Sequence, residues 1–441
     1  MFDFLNDVRV LECSMLINGC SLGNFFGDAG ADVIKIEPPP LGDYIRDAMG
    51  SVAPRQSPVH LQLNKNKRSL ILDLRTDEGK EVFWDLLDTA DVFVDGFIVG
   101  ACDRLGIGYE EQRKRKPGIV YVQYTGYGAT EPYARIPTHG RMMSAAAARF
   151  RVAVSDDGLI RPAANGEKDG PFDGISEGGE ASWVGAIQAA YYAVCALHAR
   201  ARTGEGCYID VSAADAVVTS AWAGALYAVN EDRLTGWNAM PAADADSKAL
   251  VTPSPAPALD GAKYFFYETK DHAMVLFACV ERKWWEAFCQ LVERPDLASR
   301  HNTEEAADMA IGDVDLYFTL RAIMLTRTRD EWVALAADHD LPIGPVNLRV
   351  ADLVADPQFR ARNVFVEHHH PYAGDFTYIG PPLLVHGRPY EIRRPAPLAG
   401  EHSSEVLAEL GYDRDRIERL TEQGVVRVAD DTSLIPTGGA K

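Results

Sequence analysis

An α/β fold built on an open parallel sheet is what this chain predicts, and three observations predict it. Residues 28–37, DAGADVIKIE, read as a helix that stops at Gly30 and is followed by a short buried strand. Residues 63–70, LNKNKRSL, then read as a basic-polar turn ahead of another strand, with Asp73 and Leu74 just beyond it. Strand and helix patterns keep alternating to residue 128, the order of Rossmann-like βα units that cover both faces of a sheet through right-handed crossovers.

Element by element, residues 8–11 form the first parallel strand, and the helix after it carries Leu22, Phe25 and Phe26. Residues 33–36 are the second strand. Between residues 77 and 90 the apolar Val82, Phe83, Leu86, Leu87 and Ala90 recur at helical spacing, and residues 92–95 make the next strand. A further helix leads to a strand at 119–123 that ends in the turn TGYG at 125–128. Residues 150–182, rich in Gly, Asp, Pro and Ala, read as a long functional excursion entering a core helix at 183–201. Pro253, Pro255 and Pro257 mark a linker into a smaller α+β domain, where a hairpin precedes a helix bearing Trp284, Trp285, Phe288 and Leu291. The smaller domain is expected to close near Ala336, and the chain to return to the large one through Ile343, Gly344, Pro345 and Val346, ending in an amphipathic helix at 404–410. The expected division is therefore 1–225 and 340–441 for the large domain, with 226–339 between them.

A chain of 441 residues, at a prior of about 150 per domain, suits two or three compact units. Its 64 acidic and 44 basic residues leave a net charge of −20, which argues against a nucleic-acid partner, since that needs a concentrated basic face. Seven cysteines without a Cys-x-x-Cys spacing fit a reducing cytoplasm rather than a disulfide framework. The start lacks a basic segment followed by an apolar one, so export is not expected. The longest apolar stretch, 186–199, is broken by Gln188 and His198 and falls short of the roughly 20 residues that span a bilayer. His368, His369 and His370 invite a metal reading, but neighbours in an extended strand point to opposite faces, so no metal is expected there.

The opening stretch resembles the amino-terminal half of the class III coenzyme A transferases, formyl-CoA and carnitine CoA-transferases among them, and of their relatives the 2-methylacyl-CoA racemases. Further blocks stand in the family's order: TADVF at 89–93, CDRLG at 102–106, PGIVY at 117–121, RTGEG at 202–206, IGPVN at 343–347, ADPQF at 355–359 and ELGY at 409–412. The resemblance implies an interlocked dimer, in which each chain threads through a hole in the other, and CoA handled as a substrate thioester.

It also implies a site. Family transferases attack the thioester with an aspartate just ahead of the helix that precedes Arg-Thr-Gly, forming a mixed anhydride and then an enzyme-bound CoA thioester. Counted back from Thr203, that position holds Ser182, which reads as a helix N-cap. The nearest carboxylate is Glu180, with Asp173 a weaker candidate earlier in the loop. His139, in PTHG at 137–140, falls where the racemase branch carries its proton-exchanging histidine. Arg104 and the turn of Lys65, Lys67 and Arg68 are the expected CoA phosphate contacts. A basic residue and a glutamine common in the family are replaced by Pro38 and Ile17, and the mobile glycine-rich loop by residues 255–261.

The leading expectation is a class III CoA-transferase homologue acting on an organic-acid CoA thioester, as the subunit lacking the aspartate in a two-subunit enzyme. The chain would work as a homodimer or beside an aspartate-bearing paralogue. One alternative is an acyl-CoA racemase or isomerase using His139. Another is a non-catalytic CoA-thioester binding protein.

Overall fold

A computed structural model describes residues 2–149, 152–154, 159–162, 181–233, 249–250, 261–302, 304 and 306–429. The chain runs β1 (Arg9–Cys13), α1 (Leu16–Ala29), β2 (Asp32–Glu37), α2 (Pro58–Asn64), β3 (Lys67–Leu72), α3 (Asp77–Thr89) and β4 (Val92–Asp95). It continues through α4 (Ala101–Leu105), α5 (Tyr109–Arg115), β5 (Val120–Thr125), α6 (Met142–Ala146), β6 (Val152–Val154), β7 (Ile160–Pro162), α7 (Ala181–Thr203) and β8 (Cys207–Ser212). Next come α8 (Ala213–Ser220), α9 (Trp222–Val229), β9 (Ala249–Leu250), β10 (Phe265–Glu268), β11 (Met274–Phe277), α10 (Arg282–Leu291), α11 (Val314–Met324) and α12 (Arg329–Asp338). Last are β12 (Ile343–Val346), α13 (Pro357–Ala361), β13 (Phe365–His370), β14 (Gly374–Ile379), α14 (Ser403–Glu409), α15 (Arg414–Glu422) and β15 (Val426–Arg427).

Seven strands form one sheet in the order β15-β3-β2-β1-β4-β5-β8, parallel except for β15 at the edge. Period-two alternation along the strands sends side chains to two cores. Leu11, Ile34, Ile36, Leu70 and Phe93 pack with α3 and the carboxy-terminal α14 and α15 on one face. Val10, Val33, Val94, Val122 and Tyr124 pack with α1, α7 and α8 on the other.

The second face also buries charge. Glu12 of β1 accepts from Lys35 Nζ of β2 at 3.0 Å and from Lys67 Nζ of β3 at 2.7 Å, so one carboxylate ties three adjacent strands together. Burial alone would raise its pKa, but the two ammonium groups outweigh it and hold the carboxyl below the usual range. Helix α1 reaches this carboxylate by presenting glycine. A Cβ on Gly23 would lie 1.7 Å from Glu12 Oε2, and one on Gly19 would lie 2.0 Å from Ser14 Cβ. Lys35 also meets Asp43 at 3.1 Å, and Asp43 in turn accepts the backbone N–H of Leu16, the first residue of α1.

The basic-polar turn expected to meet the CoA phosphates is therefore an interior one. Lys65 donates to Asn24 at 2.6 Å and Asp28 at 3.0 Å, and Arg68 reaches Asp32, Glu405 and Glu409 at 2.6 to 3.1 Å. The carboxylates that neutralise these cations come from α1, β2 and α14, beyond the reach of any local reading.

Within bounds Met1–Arg151, Pro162–Trp222 and Arg362–Lys441 the described residues form one compact unit, and within Val152–Arg161 and Ala223–Ala361 a second. The second contains the antiparallel sheet β10-β11-β12, packed on α10, α11 and α12 through Trp285, Phe288 and Trp332. Residues 343–346, expected to lead back to the large domain, instead pair as β12 with β11. Pro345 is tolerated because β12 is an edge strand. The antiparallel pair β13-β14 belongs to the first unit, and β6, β7 and β9 make a small sheet of their own. Among the described residues no helix is long and apolar enough to cross a membrane.

Glu12→Ala should lower stability by about 3–5 kcal/mol, since it strands two ammonium groups in the interior, and the loss should appear as a lower urea midpoint. A change under about 1 kcal/mol would show that the pairing contributes little. Two buried histidines set the response to mild acid. His370 accepts the N–H groups of Tyr372 and Ala373 at Nδ1 and donates from Nε2 to Ala396 O, so it is neutral. Burial, with Arg46 near His60, holds both imidazoles below the usual value of 6.5, His60 well below. Unfolding lets each take a proton, so stability should be full above about pH 7 and fall as pH drops through 6.5, by up to about 1.4 kcal/mol per pH unit for each group. Denaturant melts between pH 7.5 and 5 read this slope, which His60→Gln should reduce.

Candidate active site

A cavity of about 1000 Å³ opens at the carboxyl ends of β1, β4 and β5, wholly within the first unit. Its walls are the start of α1 (Met15 to Asn18), the loop after β4 (Gly96 to Val99), the turn after β5 (Thr125 to Tyr127), residues of 134–149 and the start of α7. Parts of α2 and β14 complete it. Strand order reverses between β1 and β4, and the crevice at such a switch point is where open α/β sheets bind ligands.

Each wall has a structural reason. Asp95, buried at the end of β4, accepts from Tyr121 OH at 2.6 Å, Gln123 Nε2 at 3.2 Å and Phe97 N at 3.0 Å, which anchors the loop after β4. Burial pushes its carboxyl up despite these donors. The turn after β5 needs glycine, because a Cβ on Gly126 would lie 2.1 Å from Thr138 Oγ1; that close approach holds the segment carrying His139. Tyr124 OH donates to Ser182 O at 2.6 Å, pinning the first turn of α7, and Gly185 leaves room for the ring.

Ser182 lines the cavity from within α7 and is not a cap; its hydroxyl is hydrogen-bonded to Asn18 Oδ1 of α1. His139 lines the same cavity from an exposed loop, and among the described residues its imidazole has no hydrogen-bond partner. Met15, Ile17, Met49, Val59, Phe97, Ile98, Ile136 and Trp183 make most of the wall apolar. Arg141 and Arg149 are its charged members, and no Asp, Glu or Lys is among its described lining residues.

Of the other residues singled out from sequence, Arg104 is exposed on α4 and lies outside the cavity lining. Lys65, Lys67 and Arg68 are sequestered in the ion pairs above and do not line the cavity either, so they are not available there to hold a phosphate. Glu180 and Asp173 lie outside the described residues, as do residues 255–260 of the substituted loop. His369 and His370 face opposite sides of β13, the first on Asp375 and the second in the interior. Asn18, Tyr124, Arg141 and Arg149 were not anticipated. The TGYG turn at 125–128 was the one local signal near them.

The chain matches the CoA-transferase family III over residues 5–403, and it belongs to that family. It is 28% identical over 432 residues to the formyl-CoA:oxalate CoA-transferase of Escherichia coli O157:H7, covering 96% of this chain and 99% of that one. It is 27% identical to the (R)-2-hydroxy-4-methylpentanoate CoA-transferase of Clostridioides difficile, with the same coverage. Among solved structures it is similar to a CAIB/BAIF family protein from Brucella suis, at 25% identity and a TM-score of 0.65, covering 91% of this chain and 98% of that one. A hypothetical protein from Mycobacterium tuberculosis shares the fold at 24% identity and a TM-score of 0.68, covering 91% and 98%.

Gly126→Ala should displace the segment carrying His139 while leaving the sheet intact. The expected result is a circular dichroism spectrum like that of the wild type, with CoA-thioester affinity lowered about tenfold or more, as removal of a positioning contact costs. Unchanged affinity would mean that this segment does not help to hold the ligand.

Proposed function

We propose that the chain handles the CoA thioester of an organic acid, and that it is the member of a two-subunit CoA-transferase in which a paralogous chain supplies the aspartate nucleophile. Family membership supports the first half. The observation that carries the second is Ser182: it lines the cavity where the family resemblance expects the aspartate, and no carboxylate stands among the described lining residues. A serine hydroxyl held by Asn18, with no base beside it among the described residues, cannot form the acyl anhydride on which the transfer depends.

Joined chains would also cover an otherwise unexplained surface. Ile187, Tyr191, Tyr192 and Val194 of α7 are 40 to 63% exposed, an apolar face suited to a partner chain, and the family's interlocked dimer would bury it. A cytoplasmic setting accords with seven cysteines that are all free.

A second reading is favoured by His139, whose imidazole, without a hydrogen-bond partner among the described residues, lines the same cavity and would exchange the α-proton of an acyl-CoA as an isomerase does. A chain that binds CoA thioesters without chemistry is the third.

The purified chain, given an acyl-CoA and a free acid, should show no CoA exchange alone and should gain it when mixed with an aspartate-bearing paralogue. Hydroxylamine trapping with peptide mass analysis checks for an acyl adduct, and a modified Glu180 in the isolated chain would overturn the two-subunit reading. Deuterium uptake at the α-carbon in heavy water, lost in His139→Ala, would favour the second reading instead. Light scattering should give at least a dimeric mass, because a threaded interface far exceeds the roughly 1,600 Å² of an ordinary one.

A further inference from the structure

One interior stretch of the first unit is short of hydrogen-bond partners. Among the described residues eleven buried side-chain nitrogen and oxygen atoms have none, and six of the eleven belong to Arg46, Arg55, Gln56 and His60. Each of these four residues is at most 1% exposed, so bulk water does not reach them, and a buried polar group left unmatched calls for a partner. They stand behind a wall of the cavity: Tyr44, Ile45, Ala48, Met49, Pro58 and Val59 line it, whereas the four, interspersed with them along the chain, do not.

The unmet groups are nearly all donors. Arg46 gives both terminal nitrogens to Glu37, which leaves its Nε–H. Arg55, at a φ of +57° that side-chain-bearing residues rarely adopt, donates Nη2 to Leu41 O at 2.7 Å and pairs with Asp47 at 3.4 Å, while its Nε and Nη1 have no hydrogen-bond partner. The tautomer of His60 is fixed by a relay. Lys67 Nζ, which can only donate, gives to Asn64 Oδ1 at 3.2 Å, so Asn64 Nδ2 gives to His60 Nδ1 at 3.1 Å and the imidazole proton stands on Nε2. Pro397 O, which takes Arg46 Nη2 at 3.3 Å, lies near this imidazole without closing a hydrogen bond to Nε2. Five donor atoms are thus set against one acceptor, Gln56 Oε1. Ser57 ties the stretch together, since its N–H bonds Arg46 O at 3.1 Å and its hydroxyl accepts the His60 N–H at 3.1 Å. Burial first, and then the Arg46 charge, lowers the pKa of both Arg55 and His60, so the three share one positive field.

We propose that Arg46, Arg55, Gln56 and His60 bind a small monovalent anion of the halide class, which braces the cavity wall from behind. A buried water both accepts and donates, so waters would hand the surplus of donors on to one another. A halide only accepts, and it can take several N–H groups at once. Each guanidinium already has a carboxylate, Glu37 for Arg46 and Asp47 for Arg55, so a divalent anion would leave excess charge in the interior and a monovalent one suits the site. This inference is independent of the reading of the cavity itself.

The test is bromide anomalous scattering from crystals of the full chain grown in sodium bromide, together with urea melts in sodium chloride and in sodium isethionate at equal ionic strength. An anomalous peak within hydrogen-bond distance of Arg55 Nη1 or His60 Nε2 is expected. The urea midpoint should rise saturably with chloride and not with the bulkier isethionate, because an anion that binds only the folded chain stabilises it. Arg55→Met should abolish that rise. Water alone at these donors, or bromide at surface sites only, overturns the proposal. So does a midpoint that responds alike to the two salts, or a chloride-dependent rise that Arg55→Met leaves unchanged. Should Arg55→Met fail to fold, the bromide density of the wild type decides by itself.

Discussion

The carboxylate of Glu12 is the point on which the rest of the first unit turns. It is buried in the central strand and joined to Lys35 and Lys67 from the next two strands, so the sheet is cross-linked by charge as well as by backbone hydrogen bonds. Such a pair is costly to bury and more costly to break, which makes it a determinant of register more than a source of net stability. The register is visible in the consequence: Glu12 faces Lys35 directly across β1 and β2. Helix α1 must then run close over the carboxylate, and Gly19 and Gly23 are what permit it.

The same network fixes one wall of the cavity. Lys35 holds Asp43, Asp43 holds the first N–H of α1, and the residues at that helix start, Met15 to Asn18, line the opening. Asp95 does the equivalent for the loop after β4, and Tyr124 and Gly126 for the walls beyond β5. Three strand ends thus each carry their own anchor, and the walls they hold converge at the point where strand order reverses. The site is a product of buried polar groups, while the surrounding cavity surface is mainly apolar.

That apolar surface gives the lone polar groups their weight. Ser182 with Asn18 is set in a wall of Met, Ile, Val, Phe and Trp side chains, where an unmatched hydrogen bond costs more than it does in water, while His139, Arg141 and Arg149 line the cavity from exposed positions. Among the described lining residues there is no carboxylate.

Local pattern carried a great deal of this protein. The alternation of Val10 with Leu11 and of Val33 with Ile34, the helical spacing from Val82 to Leu87, and the stop at Gly30 are properties of short segments, and the parallel sheet and its two faces follow from them. Motif order along the chain carried the family. What local pattern could not carry was the destination of each charge. Lys67 is basic and lies after a turn, which reads as a phosphate contact, yet its partner Glu12 is 55 residues earlier and meets it only once β1, β2 and β3 lie side by side. Residues 343–346 likewise became an edge strand because β11 offered an unpaired edge. Arg141, Arg149, Asn18 and Ser182 come from three separate stretches of chain. They line one cavity only because strand ends, a reversal at Ala148 and the packing of Met143 bring them there. Pairing across the sheet is a long-range choice, and tertiary structure alone makes it.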